Sequence, residues 1–188
     1  MPPKQKVTKQ EIVAATLSLL REQGEQAMNA RSIAAALGCS TQPIFSNFDS
    51  LDDLQEAVYA AAYDHYYGFL TREAESGQYP PYKAFGMAYI RFAAEEKQLF
   101  RVLFMCDRRG KELPPSSDFS QSVDMIMKAN GISRTEAELL HMEMWCCVHG
   151  IGTMLATSYL SLDPELISSM LTDVYQGLRT KYVKEERT

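Results

Sequence analysis

The stretch NARSIAAALGCSTQPIFSNFDSLDDL, residues 29–54, decides the fold. Asn29 is a good helix N-cap, and Ile33, Ala34 and Leu37 follow at the spacing of one helix face. Gly38 ends that helix, because glycine takes a left-handed conformation without a Cβ penalty. Ser40 caps a short third helix with Pro43 in its first turn, where a missing N–H costs little. Ser50 and Asp53 make a capping box that opens a much longer helix. Two short helices around a glycine turn, followed by a long capped helix, read as a helix-turn-helix module.

Working outward, Thr8 and Glu11 form another capping box upstream. Ile12, Ala15, Thr16, Leu19 and Leu20 then mark one face of a first helix, which Gly24 ends as a left-handed cap. Downstream, Leu54, Val58, Ala61, Ala62, Tyr66 and Phe69 carry the long helix towards Gly77. Residues 76–81 (SGQYPP) break it. Helices are expected around 82–96, 98–106 and 118–130, with a polar loop over 107–117 holding Pro114 and Pro115. Ser133 and Glu136 box the start of a long apolar helix reaching about residue 160. Asp163-Pro164-Glu165 starts the last helix, which carries Leu166, Ile167, Met170, Leu171, Val174, Tyr175, Leu178 and Tyr182. The expectation is an all-α chain of about nine helices. Residues 1–50 form a helix-turn-helix domain, and residues 51–188 form a ligand-binding and dimerisation domain reached through the long helix.

Composition fits this layout. Gly and Pro are sparse in a chain of 188 residues with a net charge of −5, which excludes a protein that coats nucleic acid indiscriminately. Residues 1–48 set Lys4, Lys6, Lys9, Arg21 and Arg31 against Glu11, Glu22 and Glu25, so this end is +2 and the remainder −7. A basic end on an acidic body suits a module that touches phosphate at one end only. Cys39, Cys106, Cys146 and Cys147 show no CxxC spacing or disulfide framework. With no apolar leader segment at the start and no apolar run near the ~18 residues that span a bilayer, a soluble, cytoplasmic protein is expected.

A helix-turn-helix lays its second helix in the DNA major groove, with its N-terminal residues facing base edges. Here those are Thr41 and Gln42, with Ser46 and Asn47 one turn later. Gln bonds adenine bidentately, and Thr offers a methyl to thymine. Thr8, Lys9, Asn29, Arg31 and Ser40 fit phosphate contacts near helix starts. Capping alone also accounts for Thr8, Asn29 and Ser40, and an ordinary solvated face for Gln42 and Asn47.

These residues carry a family resemblance. Ile12, Ala15 and Leu19, then Gly24, then Arg31-Ser32-Ile33-Ala34, Leu37-Gly38-Cys39-Ser40, Phe45, Phe48 and Leu54 resemble the DNA-binding domain of the tetracycline-repressor (TetR) family of transcriptional regulators. The resemblance covers about the first sixty residues. Leu99-Phe100-Arg101-Val102-Leu103-Phe104 and Trp145-Cys146-Cys147-Val148-His149-Gly150 extend it more weakly. It implies a homodimer joined through its last two helices, with ligand-binding C-terminal domains. Three positions depart from the family pattern. Phe45 stands where a phosphate-bonding tyrosine is usual, Leu51 where a lysine is usual, and Gln42-Pro43 where a glycine is common. Each lost phosphate contact lowers affinity and flattens its salt dependence.

The second domain is rich in Met and aromatics, an adaptable lining for varied ligands. An effector pocket is expected near Tyr66, Phe69, Phe85, Tyr89, Phe104 and Trp145, with a plain helical core as the other reading. A dimer seam is expected on Gly150, Leu155, Tyr159, Leu166, Met170, Val174 and Leu178, forming an isologous four-helix bundle. His141, Trp145 and His149 share one helix face beside Cys146, but no zinc-type spacing is present, so no metal or cofactor is expected. No nucleophile elbow, phosphate loop or carboxylate pair points to catalysis. The reading is a non-enzymatic one-component regulator, a repressor. It binds a pseudo-palindromic double-stranded operator as a homodimer and is released by a small-molecule effector, with no membrane partner. The alternative is a helical ligand-binding or protein-interaction dimer whose DNA end has weakened or been lost.

Overall fold

The computed structural model describes residues 7–107 and 117–183, apart from the side chains at 117 and 118. Among the described residues every regular element is helical. The helices are α1 (Lys9–Gln23), α2 (Ala30–Ala36), α3 (Gln42–Asn47), α4 (Leu51–Ser76) and α5 (Pro81–Glu95), then α6 (Lys97–Phe104), α7 (Ser117–Asn130), α8 (Arg134–Ala156) and α9 (Pro164–Tyr182). A 3₁₀ turn, Glu25–Ala27, follows α1. The all-α expectation of about nine helices therefore holds. Lys4, Lys6, Pro114, Pro115 and residues 184–188 lie outside the described residues.

The caps explain most helix ends. The Thr8 hydroxyl accepts from the Glu11 N–H at 3.2 Å, while the Glu11 carboxylate accepts from the Thr8 N–H at 2.8 Å. The box at Ser133 and Glu136 is also complete, and Asp163 accepts from the N–H groups of Glu165 and Leu166. Gly24 has φ +86°, and a Cβ there would sit 3.0 Å from the Gln26 side chain and 3.1 Å from that of Gln98. Only glycine serves there without strain.

Two ends differ from expectation. Thr41, not Ser40, is the N-cap of α3, in a helical conformation and without a side-chain cap bond. The preceding turn carries the reason. Gly38 and Cys39 donate to the carbonyls of Ala35 and Ala34, a Schellman closure of α2 that leaves Ser40 one residue short of the next helix. The other end is that of α8, which stops at Ala156 rather than near residue 160. Ser158 takes a left-handed φ of 57°, and Ser158 and Tyr159 donate to Leu155 and Met154. This is again a Schellman closure, made here by a residue other than glycine.

The chain packs as two compact units. The first comprises residues up to Gly68 together with Glu96–Cys106, and the second comprises Phe69–Glu95 and the residues from Asp107 onward. In the first, α1 packs on α2, α3 and α6, burying Ile12, Leu20, Ile33, Ile44, Leu99 and Phe100 completely. Each such side chain contributes about 1.5–3 kcal/mol on leaving water. The expected division at residue 50 follows the end of the helix-turn-helix, whereas this packing also draws in α6 and much of α4. In the second unit α8 is central, packed by α5, α7 and α9 around Phe92, Ile126 and Leu140. No helix among the described residues is long and apolar enough to cross a membrane.

Candidate nucleic-acid interface

The period of α3 decides what the first unit presents. Ile44 and Phe48 are buried on one side of the helix, and Phe48 closes it by donating to the Ile44 carbonyl at 3.0 Å. The outer side holds Gln42, Phe45 and Ser46, all exposed, with Phe45 at 55%. Thr41, Pro43 and Asn47 are half-buried.

Hydrogen bonds sort the expected DNA-facing residues. The Asn47 amide nitrogen donates to the Pro43 carbonyl at 2.8 Å and to the Val7 carbonyl at 3.3 Å, tying α3 to the chain before α1. Ser46 donates to the Gln42 carbonyl at 2.9 Å. Asn29 caps α2, accepting from the Ser32 N–H at 3.0 Å and donating to the Gln26 carbonyl at 3.2 Å. Thr8 is engaged in its capping box, whose bonds hold the Glu11 carboxyl below its ordinary value. Ser40 and Arg31 are exposed. Lys9 lies 4.6 Å from the centre of the Phe48 ring, a cation–π contact.

The start of α4 has the opposite charge. Asp52 and Asp53 occupy its first turn, with Ser50 accepting from the Asp53 N–H at 3.1 Å. A shallow groove there is lined by Lys9, Asn47, Phe48, Asp49, Asp53 and Glu56, among others. These carboxylates suit a helix N-terminus and repel phosphate.

Sequence reasoning missed a polar node in the same unit. Glu96, at the start of α6, accepts from Arg21 of α1, with Nε to Oε2 at 2.9 Å, and its Oε1 lies 3.1 Å from His65 Nε2 of α4. Burial alone would raise the Glu96 carboxyl. The hydrogen bonds and charges of Arg21 and His65 outweigh it and hold the group below its ordinary value. Pairs so far apart in sequence leave no periodic signal.

The residues expected at an effector pocket fall in both units. In the first, the Tyr66 and Phe104 rings lie 5.0 Å apart, edge to face. In the second, Phe69 meets Phe92 at 5.2 Å and Phe85 is half-buried. Tyr89 is buried, with its hydroxyl 2.8 Å from His149 Nδ1. Trp145 stacks on His149 at 5.0 Å while remaining 46% exposed. A parallel pair joins the Tyr82 hydroxyl and His141 Nδ1 at 2.9 Å. Burial pushes both imidazoles below their ordinary value. Of the residues expected at a dimer seam, Tyr159 and Leu166 are exposed, and Gly150, Met170, Val174 and Leu178 are half-buried. Leu155 is buried within its own chain. Leu139 and Met142 add exposed apolar surface to α8. The four cysteines are free, and no metal-binding cluster occurs among the described residues.

A helix-turn-helix in the first unit and a bundle centred on α8 in the second define the class, an all-helical chain with an N-terminal helix-turn-helix. A family model described as "Tetracyclin repressor-like, C-terminal domain" matches residues 82–174. The chain belongs to the tetracycline-repressor (TetR) family. A solved structure described as a protein with unknown function from Rhodococcus sp. RHA1 aligns with a TM-score of 0.68 at 17% identity. It covers 98% of this chain and 100% of its own, and this likeness shows the fold alone. No curated protein matches.

Proposed function

We propose that the protein is a dimeric, one-component transcriptional repressor that binds a pseudo-palindromic operator in the cytoplasm and is released by a small molecule. The observation that carries this reading is α3 itself. One side is anchored by Ile44 and Phe48, and the other offers Gln42 and Phe45 to solvent, in a chain with a TetR-like C-terminal domain. That is the presentation a major-groove reader requires. Thr41, Gln42, Phe45, Ser46 and Asn47 lie on or beside this helix, with Thr8, Lys9, Asn29, Arg31 and Ser40 as phosphate-side candidates. The exposed apolar residues Leu139, Met142, Tyr159 and Leu166 support a seam between copies made by α8 and α9. An effector would act by favouring a state in which the two reading helices no longer match the operator spacing. TetR-type regulators are in general non-enzymatic, and this reading gives the chain no catalytic role.

One observation favours a second reading, a helical interaction dimer without DNA binding. No lysine or arginine lies between Arg31 and Arg72, while Asp49, Asp52, Asp53 and Glu56 do. The test is fluorescence-anisotropy binding to DNA upstream of the protein's own gene, beside a scrambled duplex, at several salt concentrations. Selective binding that weakens with salt supports the repressor. Equal, weak binding to both duplexes, followed by failure to enrich any genomic fragment, favours the interaction dimer.

A further inference from the structure

The charge and hydrogen bonding around α3 restrict which bases it can read. Guanine presents two acceptors in the major groove and is recognised chiefly by Arg or Lys. Neither residue occurs in α3, the turn before it, or the first turns of α4. Four carboxylates, Asp49, Asp52, Asp53 and Glu56, further disfavour a cation-led contact there. Ser46 and Asn47 use their donors on carbonyls within the unit.

Two exposed side chains remain on the outer face. Gln42 and Phe45 are three residues apart and so neighbours on the helix surface. The Gln42 amide makes no hydrogen bond among the described residues, and it carries the donor and acceptor that match the adenine N7 and N6 edge. Phe45 is 55% exposed and has no hydroxyl with which to bond phosphate. The apolar group that duplex DNA presents in its major groove is the thymine C5-methyl. We infer that α3 reads an A·T step in each operator half-site, Phe45 packing on a thymine methyl and Gln42 bonding an adenine edge. This rests on the DNA-binding reading above and names what that site recognises.

The test uses the full-length protein and a duplex it selects from a random pool. Thymines in the selected half-site are replaced one at a time, in both halves together, by uracil, which lacks only the methyl. One position is expected to weaken binding about fourfold per half-site, the transfer value of one buried methyl-sized group. In Phe45→Ala that penalty disappears, while Phe45→Leu keeps it. Circular dichroism confirms that both variants fold. Selective binding that ignores every uracil substitution overturns the inference and leaves the DNA-binding reading standing, as does a penalty that persists in Phe45→Ala. A half-site without A·T pairs does the same. A pool that yields no enriched duplex overturns the DNA-binding reading itself, and the inference with it.

Discussion

Arg31 and Leu51 mark the two ends of the phosphate question. Arg31 is exposed beside the N-cap of α2, outside the core, and on the proposed reading its guanidinium would reach the DNA backbone. Arg31→Ala should leave the fold intact, weaken operator binding uniformly across sequences, and reduce the log–log salt slope by about one unit per subunit. Anisotropy titrations at several salt concentrations measure this, and an unchanged slope would remove Arg31 from the interface. Leu51 opens α4 beside Asp52 and Asp53 and is only half-buried. Leu51→Lys should act with the opposite sign, steepening the slope by about one unit per subunit and raising affinity at low salt. If affinity fell instead, the start of α4 would not face the backbone. The exposure of Gln42, Phe45 and Arg31 was legible in the sequence, because they stand at fixed offsets from the caps. The engagement of Asn47 with the Val7 carbonyl was not, because it joins residues whose proximity is set by packing rather than by period.

Helix boundaries were legible wherever a side chain caps the backbone, as at Thr8, Ser133 and Asp163. They were not legible where the backbone closes on itself, as at Ser158, because that closure depends on a φ value that serine rarely takes. The Thr8 box is testable as an element. Thr8→Ala removes the acceptor for the Glu11 N–H and should cost about 1 kcal/mol in urea denaturation. A loss near zero would mean that packing against α2 and α6 holds the first turn without it. The paired hydrogen bonds between α5 and α8 set a pH response. Burial depresses His141 and His149, so the folded chain resists their protonation more than the unfolded chain does. Below the ordinary histidine range the unfolded state binds more protons, and stability must therefore fall as pH falls. Glu96 acts in the same direction at lower pH, its contribution being lost as pH falls through its depressed value. Thermal melts between pH 7.5 and about 5 should show a falling midpoint, and His141→Gln should flatten that fall. An equal fall in the variant would assign the response to other groups.

Charge and exposed apolar surface are unevenly distributed along the molecule. Residues 7–48 carry Lys9, Arg21 and Arg31 on α1 and α2, whereas α8 and α9 expose apolar side chains that a lone chain gains nothing by leaving in water. If the chain reads DNA as proposed, a single module with few cations would gain selectivity by being doubled, because two half-sites held at one spacing multiply their preferences. On the proposed reading, dimerisation would therefore supply much of the operator selectivity. Leu166 offers the cleanest probe. It is 50% exposed in the first turn of α9, where its backbone N–H is already capped by Asp163. A carboxylate there is favourable to the helix terminus, so Leu166→Glu should fold as well as the parent. Placed in an apolar seam, the same carboxylate would face its own copy across the two-fold axis and split the dimer. Light scattering should then give the mass of one chain. The salt slope for operator binding should fall to about half, since one subunit meets half the phosphates. A variant that remains dimeric with an unchanged slope would move the seam away from the start of α9. A variant that becomes monomeric yet binds the full operator with parental affinity would show that the two readers act independently.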